Sequence, residues 1–156
     1  MPGPLIVLTV GRAPRGPWRE IQDDYAGRIA RHVRLERRAV RPSRARSAAV
    51  RRREETRALL AAVPERATRV AFDATGTAVD SPRFARRLAD WLTGRGAALI
   101  VGGPDGLDRE ELEAAGPVEV VSLGRVTLPH ELALVVVLEQ VYRALAAAEN
   151  HPYGRH

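Results

Sequence analysis

The sequence predicts an α/β protein with a mostly parallel sheet flanked by helices. Three observations carry that class. Short apolar runs alternate with longer segments of helical period along the whole chain. The runs close on Gly, Pro or Asp, as strands entering turns do. No low-complexity linker or internal repeat interrupts the alternation, so residues 1–156 are expected to form one domain. A domain of this size buries roughly 70% of its unfolded surface, enough for a sizeable core.

The elements follow in order. Leu5–Val10 is a compact apolar run ended by Gly11 and reads as a buried strand. Trp18, Ile21, Tyr25 and Ile29 recur at helical spacing, which predicts an amphipathic helix over Pro17–Val33. Leu35–Val40 reads as a half-exposed strand with Glu36 and Arg38 outward. Arg41–Ser47 is a polar, Arg-rich loop, and Ala48–Val63 a helix carrying Arg51, Arg52, Arg53 and Arg57 with Leu59 and Leu60.

Arg69–Asp73 reads as a short strand running into a turn at Gly76. Ser81-Pro82 looks like an N-cap followed by Pro at the first helical position. That helix extends to Leu92, with Phe84, Leu88 and Trp91 on one side and Gly94 past its end. Ala97–Val101 is a buried strand closed by Gly102-Gly103-Pro104. Asp108 caps a short acidic helix to Ala115, Val118–Leu123 is another strand, and Pro129 to about Ala148 is the longest helix.

Composition removes several kinds of chemistry. There is no Cys, so disulfide frameworks, thiolate zinc sites and cysteine nucleophiles are excluded. The four His are dispersed, at 32, 130, 151 and 156, and no metal site is expected. The longest uninterrupted apolar run, Leu132–Leu138, falls well short of the ~18 residues of a membrane span. The N-terminus lacks a basic region of the signal-peptide kind, so a cytoplasmic protein is expected. No G-x-x-x-x-G-K-[ST] loop is possible without Lys, and no Ser lies in a G-x-S-x-G context. A Rossmann dehydrogenase fails on its missing first-loop fingerprint.

Charge is unevenly spread. The net charge is +6, every basic residue is Arg, and residues 1–57 hold 15 Arg against 6 acidic residues. Residues 58–156 hold 10 against 13. A basic half of this kind suits a polyanionic partner, and an Arg-biased solvated helix face reads equally well from charge alone.

In a parallel α/β sheet, ligands sit at the carboxyl ends of the strands. Three such ends carry unusual residues: Phe72–Gly76, Gly102–Gly106 and Leu123–His130. Ordinary turn chemistry explains any one Gly-rich loop. Together with other stretches they form a pattern: LIVGGPDGL (99–107), TLPHEL (127–132), LEQVYRA (138–144), NHPYGRH (150–156), and upstream LTVGR (8–12), Trp18, Tyr25 and FDATGTAVDSPRFA (72–85). Over essentially the whole chain this pattern resembles the ribosomal RNA large subunit methyltransferase H family, a SPOUT class.

The resemblance implies a SPOUT-type α/β knot with a C-terminal trefoil, an S-adenosylmethionine cofactor bent among the knot loops, and a homodimer. It implies methylation of N3 of pseudouridine 1915 in helix 69 of 23S ribosomal RNA, acting on the assembled 70S ribosome. Carried over by position, Phe72, Gly102, Leu123, Gly124, Arg125, Val126, Thr127 and Leu128 would bind the cofactor. His130, Tyr153 and Arg155 would surround the target nucleotide, with Glu139 and Arg143 on the helix leading there. Arg12, Arg44, Arg46, Arg51 and Arg52 are the candidate contacts to RNA.

Plainer readings stand beside these. Single apolar residues of the cofactor segment read as core, Glu139 and Arg143 as an i,i+4 surface pair, and His130 as a helix cap. Two departures from the family pattern also stand out: Leu134 where an Arg is usual, and Gly154 where a His is usual. Rival functions are a SPOUT enzyme acting on another RNA, such as transfer RNA, and a non-enzymatic RNA-binding module.

Overall fold

The computed structural model describes residues 3–155. Five strands alternate with five α-helices: β1 Leu5–Val10, α1 Pro17–Ala30, β2 Leu35–Val40, α2 Ala48–Ala61, β3 Thr68–Ala78, α3 Ser81–Trp91, β4 Ala97–Val101, α4 Arg109–Ala114, β5 Glu119–Ser122 and α5 His130–Ala148. A 3-10 turn, Pro152–Arg155, follows α5. All pairings are parallel, in the order β2-β1-β4-β3-β5.

Alternation along the strands sends side chains to two separate cores. Leu5, Val7, Leu99 and Val101 meet Ile29, Phe84, Leu88, Trp91 and Leu138 on one face. Ile6, Leu8 and Ile100 meet Leu59, Leu60 and Leu112 on the other. The layers are therefore α1, α3 and α5 over one face and α2 and α4 under the other. Every residue of β4 is buried, as a central strand covered on both sides must be. β2 lies at the sheet edge, and its Arg37, Arg38 and Ala39 are exposed.

The structure changes several expected boundaries. α1 stops at Ala30 and α2 at Ala61, each closing through backbone bonds to the preceding turn. β3 continues past Asp73 to Ala78, because an irregularity between Phe72 and Thr77 lets it rejoin β5. Gly76 makes that possible, since a Cβ there would lie 2.6 Å from the Val120 backbone. β5 itself is shorter than expected, Glu119–Ser122.

Two caps are assigned differently from the sequence expectation. Asp80, not Ser81, caps α3, accepting from the Arg83 amide at 2.9 Å. Ser81 instead donates to Gln140 Oε1 of α5 at 2.6 Å. His130 is the first residue of α5 and makes no capping bond, the cap position being Pro129. Asp108 does cap α4 as expected, through the Glu111 amide at 3.0 Å. Among the described residues, no helix is long and apolar enough to cross a membrane.

Candidate functional site

A cleft of about 700 Å³ opens at the carboxyl ends of β3, β4 and β5. Three loops wall it: Phe72–Ala74, Gly102–Leu107 and Leu123–Pro129, with His130 and Ala133 from the start of α5. The expected cofactor residues Phe72, Gly102, Leu123, Gly124, Val126, Thr127 and Leu128 all line it. Arg125 is exposed and lies outside that lining.

Local chemistry explains the shape. The Gly102–Gly106 turn folds back tightly, with a Gly103–Gly106 bridge and the Gly106 amide donating to Gly103 O at 3.0 Å. A Cβ on Gly102 would stand 2.8 Å from the Gly106 backbone, so only glycine fits. Gly124, at φ 136°, sits where an L side chain is strained and where no atom would meet a Cβ. Ser122 steadies it, accepting from the Gly124 amide at 3.1 Å. Val126 is left 70% exposed, an apolar side chain without a neighbour to cover it.

The Gly102 turn is anchored from below by α2. Arg51 donates from Nε to Asp105 at 2.8 Å and from Nη1 to the carbonyls of Ala45 and Arg46 at 3.0 and 2.9 Å. The Arg51 guanidinium holds the Asp105 carboxyl below the usual carboxylate range. Thr56 Oγ1 accepts from the Asp108 amide at 2.9 Å. Arg51 is therefore occupied within the molecule, while Arg12, Arg44 and Arg46 are exposed and Arg52 half-exposed.

A second group of expected residues gathers elsewhere. The Tyr153 hydroxyl lies 2.9 Å from that of Tyr25 and donates to Glu139 Oε1 at 3.1 Å. Arg143 donates to the same carboxylate oxygen from Nε and Nη2, at 2.9 and 2.6 Å, and its guanidinium lies 5.1 Å from the Tyr153 ring centroid. Burial pushes the Tyr153 phenol well up, and the bonds to Tyr25 and Glu139 push it further. The tail is thus docked on α1 and α5, with Arg155 exposed at its end.

Within one chain the two groups are apart. At the helical rise, Glu139 and Arg143 stand roughly 13 and 20 Å along α5 from His130. Tyr153 meets α5 at that far level. The structure gathers the expected cofactor residues other than Arg125 with His130, and Glu139 and Arg143 with Tyr153, but does not bring the two sets together.

Sequence reasoning did not single out Gln22. It is buried on α1, and its Nε2 donates to the Glu131 carboxylate at 2.7 Å, whose other oxygen lies 3.0 Å from His130 Nε2. A Gln among exposed polar residues carries no signal of that kind in the sequence.

An adenosyl group needs apolar walls, room and few polar constraints. Phe72, Leu123, Val126 and Leu128 supply the walls, and the glycine-built turns supply close backbone approach. The cleft fits S-adenosylmethionine on these grounds.

Comparison with known proteins agrees. The model of the family described as "Predicted SPOUT methyltransferase" matches residues 4–154. The ribosomal RNA large subunit methyltransferase H of Nitrobacter winogradskyi is 40% identical over 97% of this chain and 98% of its own length. That of Methylocella silvestris matches to the same extent. Among solved structures, the S-adenosylmethionine-bound ribosomal RNA small subunit methyltransferase E of Neisseria gonorrhoeae superposes with TM-score 0.50 at 18% identity. The match covers 85% of this chain and 63% of that one. A probable methylase family protein of Haemophilus influenzae gives 0.52 at 13% identity, over 94% and 67%. These two share the fold. The chain belongs to the ribosomal RNA large subunit methyltransferase H family of SPOUT methyltransferases.

Proposed function

We propose that this protein transfers a methyl group from S-adenosylmethionine to N3 of pseudouridine 1915 in helix 69 of 23S ribosomal RNA, acting on the assembled 70S ribosome in the cytoplasm. The observation that carries the reading is the cleft at the strand ends, walled by two glycine-built turns and an exposed apolar Val126. Relatives bearing the large-subunit methyltransferase name match nearly end to end, which supports the substrate class.

When bound, S-adenosylmethionine would supply an activated methyl for the acceptor N3, whose proton passes to solvent. The chain then mainly positions two reactants and offsets developing charge. Gly102 and Leu123–Leu128 hold the adenosyl part. His130, at the cleft edge, orients the acceptor base. Arg155, exposed at the tail, offsets the imide anion, and Tyr153 stacks or positions. Glu139 binds Arg143 and Tyr153 and keeps that tail in place.

The reading includes a homodimer. The tail group stands far along α5 from His130 in one chain, so a complete site takes Tyr153 and Arg155 from a second copy. Trp18 and Ile21, exposed on α1, are apolar surface of the kind such a contact covers. The basic segment with Arg12, Arg44, Arg46 and Arg52 then meets RNA phosphates. The family's trefoil knot belongs to this reading as well.

Purified protein, radiolabelled S-adenosylmethionine and 70S ribosomes lacking the mark test it. Label in 23S RNA is the expected result. Label in naked transfer RNA instead would make this a SPOUT enzyme of another RNA. Calorimetry showing no cofactor binding would leave an RNA-binding module.

A further inference from the structure

One buried carboxylate has no part in the site described above. Glu55 of α2 is only 3% exposed. Its Oε2 accepts from the Ser43 amide at 2.9 Å, while its Oε1 has no hydrogen-bond partner among the described residues. Buried polar atoms are normally paired, so an acceptor left over at such a depth calls for a reason.

That oxygen faces the Gly102–Gly106 turn. A Cβ on Gly103 would lie 3.4 Å from it and 3.1 Å from Val10 Cβ. Gly103 does not have a positive φ, so its missing side chain serves close packing against Glu55 and Val10. The other side of the same turn walls the cofactor cleft.

The face of α2 that carries Glu55 ties two segments of the chain together. Arg51 lies one helical turn before Glu55. Toward the loop between β2 and α2, Arg51 reaches the carbonyls of Ala45 and Arg46, and Glu54 accepts from the Ser43 hydroxyl at 2.5 Å. Toward the cofactor turn, Arg51 reaches Asp105, and Thr56 accepts from the Asp108 amide. The loop itself alternates. Arg41, Arg44 and Arg46 are exposed, while Ser43 and Ala45 between them are half-buried. Its guanidiniums are therefore free to meet a polyanion while α2 grips its backbone.

One ligand shifts the affinity for another only through a group that both sites bias. Glu55 and Arg51 each reach both segments. We propose that Glu55, supported by Arg51, is a positioning residue that couples RNA on the 41–47 loop to the cofactor turn, so that RNA and S-adenosylmethionine bind cooperatively. With phosphates on Arg44 and Arg46, the loop closes onto α2 and Glu55 Oε1 takes a backbone amide of the Gly102–Gly106 turn. The turn is then fixed in the shape that holds the cofactor. Coupling is reciprocal, so cofactor in the cleft makes the loop a better site for RNA. The proposal rests on the methyltransferase reading above and adds how its two substrates are brought together.

The test titrates the full chain with 70S ribosomes lacking the mark, with and without saturating S-adenosylhomocysteine, which has no methyl to transfer. The wild type should bind ribosomes roughly fivefold or more tightly when S-adenosylhomocysteine is present. Glu55→Gln keeps an acceptor for the Ser43 amide and puts an NH2 group where the unpaired oxygen stands. In that variant the ratio of the two affinities should fall below about twofold. A merely structural Glu55 would lower the urea midpoint, or both affinities together, and leave the ratio unchanged, because a loss common to both states cancels. Should Glu55→Gln fail to fold, Arg51→Lys decides by the same ratio. It keeps the charge and loses the fork that spans Asp105 and the two carbonyls. A wild-type ratio near one, or a ratio unchanged by the variant, overturns the proposal. Wild-type protein that fails to bind S-adenosylhomocysteine or ribosomes would defeat the methyltransferase reading and the coupling with it. Intact binding of both with a ratio near one defeats the coupling alone.

Discussion

Arg51 of α2 and Asp105 of the Gly102–Gly106 turn are joined by two hydrogen bonds, from Nε at 2.8 Å and Nη2 at 3.4 Å. The same guanidinium holds the carbonyls of Ala45 and Arg46, so the basic loop and the Gly102–Gly106 turn share one anchor. Arg51→Ala should therefore loosen the turn and weaken S-adenosylmethionine binding roughly threefold or more, in keeping with a half-exposed ion pair. Calorimetry checks this, and unchanged affinity would mean that the turn holds itself. The Asp105 value lies below its unfolded one, so its contribution is present above about pH 4 and lost as pH falls further.

Tyr153 titrates in the opposite sense. Its phenol is raised by burial and by its bonds to Tyr25 and Glu139. A folded value above the unfolded value of about 10 leaves its contribution intact below that pH and loses it as pH rises beyond. Tyr153→Phe should make stability less steep in alkali than in the wild type, whatever it costs at neutral pH. Urea midpoints measured across the alkaline range give the comparison, and identical slopes would contradict it.

Gly154 closes the tail onto α5. A Cβ there would lie 2.4 Å from the Ala147 nitrogen and 2.5 Å from its Cα, both backbone atoms that cannot step aside. Gly154→Ala, and still more Gly154→His, should destabilise the protein by about 1–3 kcal/mol in urea unfolding. A neutral outcome would show that the tail docks more loosely than described.

The α3 cap offers a clean stability test. Asp80→Ala should cost about 1 kcal/mol through loss of the bond to the Arg83 amide. Ser81→Ala removes a bond to Gln140 and leaves the cap alone. If urea unfolding shows Asp80→Ala to be neutral, the cap assignment is wrong.

The strands β1, β2 and β4 were legible to the residue, because short apolar or alternating runs bounded by Gly or loop residues leave little choice of ends. β3 was not: after Asp73 its residues are exposed and polar, and only pairing with β5 extends it to Ala78. Ser81-Pro82 misled the cap by one residue, since Asp80 is an equally good capping side chain and only geometry chooses. The cleft at the strand ends was legible as the three loop stretches Phe72–Gly76, Gly102–Gly106 and Leu123–His130, which the sequence marks with Gly and Pro. Arg12, Gln22, Arg37 and Leu134, which wall a smaller cavity beside the cleft, come from four separate segments with no shared spacing, so nothing in the sequence groups them. Nor does any local pattern reveal that His130 and Tyr153 stand at different levels of α5; that follows from helix length.

Mass mapping of helix 69, in ribosomes from cells with and without this protein, tests the central claim most directly. One methyl on N3 of pseudouridine 1915, present only with the protein and restored by adding it with S-adenosylmethionine to the deficient ribosomes, is the predicted result. Identical helix 69 masses in both ribosome samples would contradict it.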